Sequence, residues 1–213
     1  MIPAANLLAF GLASIPLIII PGPSVLFTIG RSLSLGRVGG LLSVVGNATG
    51  ALVISVAIAF GLGALLEKSV VVFTIVKVLG AAYIIFLGIQ AIRHRHQKAD
   101  AITAPVAWQG AWRTMWEGFT VGVTNVKTII FLVAVLPLFV DHKSGGIPVQ
   151  IMLLGVVFVI VALVSDSIWA LVAGAARNWF ARSPTRIATL GATGGVMMIG
   201  LGAAVLFVNH ESA

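Results

Sequence analysis

Lys127 and Asp166 each stand inside a long apolar run. An ionised side chain at mid-bilayer costs on the order of 2.5–3.5 kcal/mol on insertion scales, so each needs a partner, a water-filled cavity or a proton to trade. Held together, an ammonium and a carboxylate can take the two ends of a zwitterion. Asn47 and Asn125, also inside apolar runs, add neutral donors and acceptors. Pro21-Gly22-Pro23 interrupts the first run. Its two prolines remove two backbone donors and push the preceding residues out of helical dihedrals. Backbone groups freed at membrane depth are tolerated only where they are buried in protein or line a cavity. A broken helix there is the strongest sequence pointer to a transport site.

Other chemistries fit less well. The chain has no Cys, which excludes disulfides, thiol nucleophiles and cysteine-held metals. His94, His96, His142 and His210 all fall between or beyond the apolar runs, so no metal site is expected. An intramembrane hydrolase would want a nucleophile beside a histidine, and the sequence predicts no enzyme and no cofactor. Asp166 is the single deep carboxylate, whereas a hard cation wants several oxygen ligands. A small-ion or metal exporter is therefore the alternative to a carrier of organic solutes. A non-transporting scaffold would have no use for the proline break or the deep charges.

These residues must be positioned by membrane helices. The 213 residues are 59% hydrophobic and only 9% charged, against roughly 25% charged in soluble domains. The apolar runs are long and continuous, which favours helices over a β-barrel. Six spans are predicted: about 7–29, 38–66, 70–92, 116–140, 149–176 and 184–208. Arg31, Arg37, Arg93, Arg95, Lys98, Arg113, Arg177, Arg182 and Arg186 flank one side, and only Lys68 and Lys143 the other. Positive loops stay cytoplasmic, which predicts both termini outside and explains the net charge of +7 without nucleic acid. Trp108, Trp112, Trp116 and Trp179 fit an interfacial belt on the basic side.

The single transporter domain, 1–213, divides into half-repeats of about 1–92 and 114–208 joined by a basic cytoplasmic linker, 93–113. Three spans per half is an odd number, so the halves would be inverted repeats with a site between them. Counting about 1.5 Å per residue from the nearest arginine puts Pro21–Pro23, Asn47, Asn125, Lys127 and Asp166 at similar depth. Lys77 lies nearer the outer surface, as an ion-pair or gating residue. Glycines four apart, Gly46/Gly50 and Gly118/Gly122, suit close helix packing, and the Gly-rich faces point to a homodimer.

These features resemble the LysE/RhtB family of small bacterial amino-acid exporters. The likeness rests on Pro21-Gly22-Pro23, on Gly46 to Gly50, and on Lys77-Val78-Leu79-Gly80-Ala81-Ala82-Tyr83-Ile84 with Gly88. It rests also on Gly118 with Asn125-Val126-Lys127, on Pro137 and Phe139, and on Asp166 with Trp169. Val126 stands where the family usually has proline, which predicts a milder break in span four. The resemblance implies a plasma-membrane exporter of amino acids or their derivatives, driven by protons. The substrate carboxylate is assigned to Lys127, Asn125 or the break near Gly22. Its ammonium is assigned to Asp166 or to carbonyls near Ile19 and Ile20, with Asp166 as proton carrier.

Overall fold

The computed structural model describes residues 2–66, 70–97, 107–141, 144–177, 179 and 183–207. Among them every long element is a helix: α1 (Ala4–Ile19), α2 (Pro23–Leu66), α3 (Val70–Arg93), α4 (Ala111–Val123), α5 (Val126–Val135), α6 (Ile147–Ala175) and α7 (Pro184–Phe207). A 3₁₀ turn, Leu136–Phe139, extends α5. The expected linker is described only up to residue 97 and from residue 107, and Lys68 and Lys143 lie outside the described residues.

Among the described residues three helices are long and apolar enough to cross a membrane, and four if the bent pair α4–α5 is one span. Residues 4–19 and 78–93 form shorter apolar helices. The chain is thus an all-α protein of membrane type. Its polarity is inverted to match, since Leu8, Leu12, Phe60 and Leu79 are exposed while Ser14, Thr28, Ser32, Lys127 and Asp166 are buried.

Two breaks define the centre. The chain leaves α1 at Ile20, whose φ of −59° and ψ of 119° are those of a residue before proline, and re-enters helix at Pro23. The second break falls between α4 and α5, which bend by 45°. The break is present although valine stands at 126. Val126 occupies the first position of α5, where proline's missing N–H would have cost nothing, and Asn125 is already extended at φ −72° and ψ 90°.

One correction concerns the first connection. The connection between the first two spans, expected over residues 30–37, is a single residue. Helix α2 continues past Arg31, and Gly36 alone (φ 76°, ψ −176°) separates a short limb, 23–35, from a long limb, 37–66. That backbone conformation is open to glycine and strained for other residues.

Glycine contacts fix how the helices run. A Cβ on Gly46 would lie 2.0 Å from Met115 O, and one on Gly50 2.5 Å from Phe119 O, so the long limb of α2 and α4 are parallel and in backbone contact. Gly155 faces Ser55 and Gly174 faces Arg37, which makes α6 antiparallel to that limb. A Cβ on either Gly88 or Gly195 would lie 2.6 Å from the other's carbonyl oxygen, and one on Gly202 2.8 Å from Ala81 O, which makes α7 antiparallel to α3. Two apolar clusters fill the remainder. One contains Phe10, Leu17, Phe131 and Phe158. The other sets Val25, Ile29 and Leu33 against Ala173 and Ile187.

Candidate functional site

Proline chemistry builds the site's first wall. In an unbroken helix the Leu17 carbonyl would accept from the N–H of residue 21, but Pro21 has none. The Nζ of Lys127 supplies the missing donor, bonding Leu17 O at 2.9 Å and Ile20 O at 3.1 Å. Ile20 O also accepts from the Gly22 N–H at 2.7 Å. An ammonium at the C-terminal end of α1 is further favoured by the helix dipole. Gly22 makes room for it, since a Cβ there would lie 3.0 Å from the Lys127 Nζ.

The second wall carries the acid. Asp166 on α6 is buried, and its Oδ2 accepts from Asn47 Nδ2 at 3.0 Å. Asn47 is held in place by the glycine seam, because Gly122 packs directly on its backbone carbonyl. At the other break, Asn125 Nδ2 donates to Ser24 Oγ at 3.0 Å. The Oδ1 atoms of Asn47 and Asn125 are buried without a partner among the described residues, a state rare in folded proteins unless a ligand or water completes it.

Leu17, Ser24, Asn47, Lys127, Phe158 and Asp166 line one cavity of about 20 Å³. That is room for about one water molecule. Lys127 and Asp166 face it from opposite helices but form no direct ion pair within 4.0 Å among the described residues. The arrangement offers a cation bound to carbonyls, a carboxylate with one neutral partner, and two amide oxygens awaiting donors.

The expected site residues are therefore placed as follows. Asn47, Asn125, Lys127 and Asp166 are buried, as are Pro21 and Gly22, while Pro23 is exposed. Asn47 pairs with Asp166, and Lys127 meets the proline break through carbonyls. Lys77 lies on α3, with its side chain outside the described residues. No group of metal-binding side chains occurs among the described residues. Sequence reasoning missed Ser24, and it missed that Lys127 itself occupies the carbonyls assigned to a substrate ammonium. The four-residue offset from Pro21 back to Leu17 was the available signal. Glu117 of α4 bonds Arg31 of the short α2 limb at 2.7 Å and Arg113 at 3.5 Å.

The family model of the LysE type translocator matches residues 15–208. An uncharacterized membrane protein of Vibrio cholerae is 32% identical over 196 residues, covering 92% of this chain and 93% of its own. The homoserine/homoserine lactone efflux protein of Salmonella typhimurium is 30% identical over 202 residues, covering 95% and 96%. An uncharacterized membrane protein of Bacillus subtilis is 25% identical over 206 residues, covering 92% and 96%. No solved structure matches the chain. With the family model spanning nearly all of the sequence, this chain belongs to the LysE type translocator family.

Proposed function

We propose that this membrane translocator is a proton-coupled exporter of small amino acids or amino-acid derivatives of the homoserine type, working by alternating access around the cavity between Lys127 and Asp166. The substrate class follows the efflux relative's name and the chemistry of the walls. Carbonyls of Leu17 and Ile20 suit an ammonium, and the partnerless amide oxygens of Asn47 and Asn125 suit a hydroxyl or an ammonium.

One observation carries the reading: the Lys127 ammonium rests on carbonyls that a substrate ammonium would seek. A zwitterion entering the widened cavity displaces Lys127, takes its place on Leu17 O and Ile20 O, and offers its own carboxylate to the released lysine. Asp166 then neutralises either the bound cation or a proton. Competition between proton and substrate at one carboxylate couples their movements in opposite directions. The present cavity holds about one water, so it corresponds to a closed form without cargo.

Six spans in two inverted halves suit the observed directions. In a chain that crosses six times, the second and fourth crossings run parallel, and the second and fifth, like the third and sixth, run antiparallel. The long α2 limb, α4 and α6, and the pair α3 and α7, obey that order. Each half then contributes one broken span, α1 with the short α2 limb and α4 with α5. Basic loops on the cytoplasmic side of the plasma membrane put both termini outside.

The test is efflux of labelled homoserine from proteoliposomes carrying an imposed proton gradient. Accelerated efflux with the wild-type chain and none above background with Asp166→Asn is the expected result. Gradient-driven efflux by Asp166→Asn at the wild-type rate would remove the proton role. Failure of the wild-type chain to move homoserine, or to protect cells in a growth screen of amino acids and analogues, would remove the substrate class.

A further inference from the structure

Beyond Ser24, which lines the central cavity, the short limb of α2 carries polar side chains that the cavity does not use. At 3.6 residues per turn, Ser24, Thr28, Arg31 and Ser32 fall in one arc of about 100°. All three hydroxyl side chains are buried, Thr28 and Ser32 completely. The Thr28 Oγ1 and Ser32 Oγ have no hydrogen-bond partner among the described residues. Buried hydroxyls without partners are costly for a packing surface, and apolar residues of similar size would pack here without that cost.

The arc also has two closed ends. At the cavity, Asn125 beyond α4 bonds Ser24. Toward the basic loops, Glu117 of α4 bonds Arg31 at 2.7 Å, with the Arg31 guanidinium also lying over the Phe27 ring at 5.0 Å. The two ties join the same pair of elements and are about 10–12 Å apart along them. A corresponding pair of ties joins α1 to the α5 side. Lys127 holds Leu17 and Ile20 at the cavity, and Asn6 Nδ2 donates to Phe139 O at 2.9 Å at the far end. Between those ties the packing is aromatic, with Phe10 against Phe131 and Phe139. One seam is therefore greasy, and the short limb beside the other carries hydroxyls awaiting partners, with Ser32 Oγ turned toward Gly40 of the long α2 limb.

We propose that the Ser24–Thr28–Ser32 arc is the substrate path between the cavity and the basic-loop side, that Thr28 and Ser32 bind the polar groups of a homoserine-like solute in transit, and that the Arg31–Glu117 ion pair is its door. The proposal rests on the exporter reading, and it adds a second binding station and a gate to it. Opening the door separates α4 from the short limb and wets the hydroxyls. Gly36, the single non-helical residue between the two limbs of α2, is where the short limb turns.

Because the chain has no Cys, single thiols report wetting without background. Thr28→Cys and Ser32→Cys would be made alone and with Glu117→Gln, in inverted membrane vesicles treated with a membrane-impermeant methanethiosulfonate. Glu117→Gln is expected to raise the labelling rate of both thiols at least tenfold, and saturating homoserine to slow it. Restoring the pair in reversed order, Arg31→Glu with Glu117→Arg, should return the slow rate and so separates gating from misfolding. Val53→Cys, on an exposed apolar face, should stay unlabelled, and Arg37→Cys should label throughout. If neither thiol responds to Glu117→Gln while Arg37→Cys reacts, the path is elsewhere. Homoserine uptake into the same inverted vesicles separates the two claims. Uptake without labelling overturns the path alone, and labelling that opens with Glu117→Gln in vesicles that never transport overturns the exporter reading alone.

Discussion

At the scale of single residues, Lys127 is held by what Pro21 lacks. Replacing Lys127 with Met keeps the length and apolar bulk but leaves Leu17 O without its donor, while Ile20 O retains the Gly22 N–H. An unsatisfied buried carbonyl costs about 1–3 kcal/mol, so Lys127→Met should unfold earlier in detergent melts and export nothing. Pro21→Ala returns an N–H to position 21, which Leu17 O can use. The double variant Lys127→Met/Pro21→Ala should regain much of the lost melting temperature and none of the efflux. A fully additive double-mutant cycle would mean that the two residues do not share that carbonyl. The resemblance and the depth count brought Lys127, Asp166 and the asparagines together on paper. They could not say which partner each would take, because a lysine's reach lets it choose among carbonyls, a carboxylate and water.

At the scale of elements, the parallel seam of the long α2 limb and α4 depends on glycines. A Cβ on Gly118 would lie 2.3 Å from Ser43 O, and one on Gly122 2.3 Å from Asn47 O. Backbone cannot yield as a flexible side chain does, so Gly122→Ala must push the helices apart. Overpacking costs typically about 1–3 kcal/mol, and here it also shifts Asn47 away from Asp166. Gly61→Ala, by contrast, meets nothing within 4 Å and should be neutral or slightly stabilising through helix propensity. Thermal melts of the two variants in one detergent compare them directly. Spacing alone pointed to Gly46, Gly50, Gly118 and Gly122, because four residues is one turn and small residues permit contact. The single-residue kink at Gly36 was not legible. Residues 30–37 fall between two predicted spans, yet with Ser32 buried and Arg31 paired with Glu117 the helix has no reason to stop. The helix start at Val126 needs no proline. A proline at the first position of a helix marks a start that the preceding extended residue already makes.

At the scale of the whole molecule, two seams of opposite character meet at one cavity, and alternating access requires that they never open together. The α1 seam is closed by Asn6 on Phe139 and by the Phe10 cluster. The α2–α4 seam is closed by Arg31 on Glu117. Stapling either one should stop export at a different stage. Asn6→Cys with Phe139→Cys, joined by a short bifunctional thiol reagent, should abolish homoserine efflux while leaving the basic side able to open. Arg31→Cys with Glu117→Cys, joined likewise, should abolish efflux with the basic side sealed. The two dead transporters are told apart by trapped homoserine. The first staple should still bind it from the basic side of inverted vesicles, and the second should not. Reducing a cleavable form of the reagent should restore efflux in the first case, because Asn6 and Phe139 lie outside the cavity lining. In the second case it should not restore a gated path, because the ion pair is gone. Full efflux through a molecule with the first staple in place would show that the α1 seam need not part, and two gates around one site would no longer describe this fold.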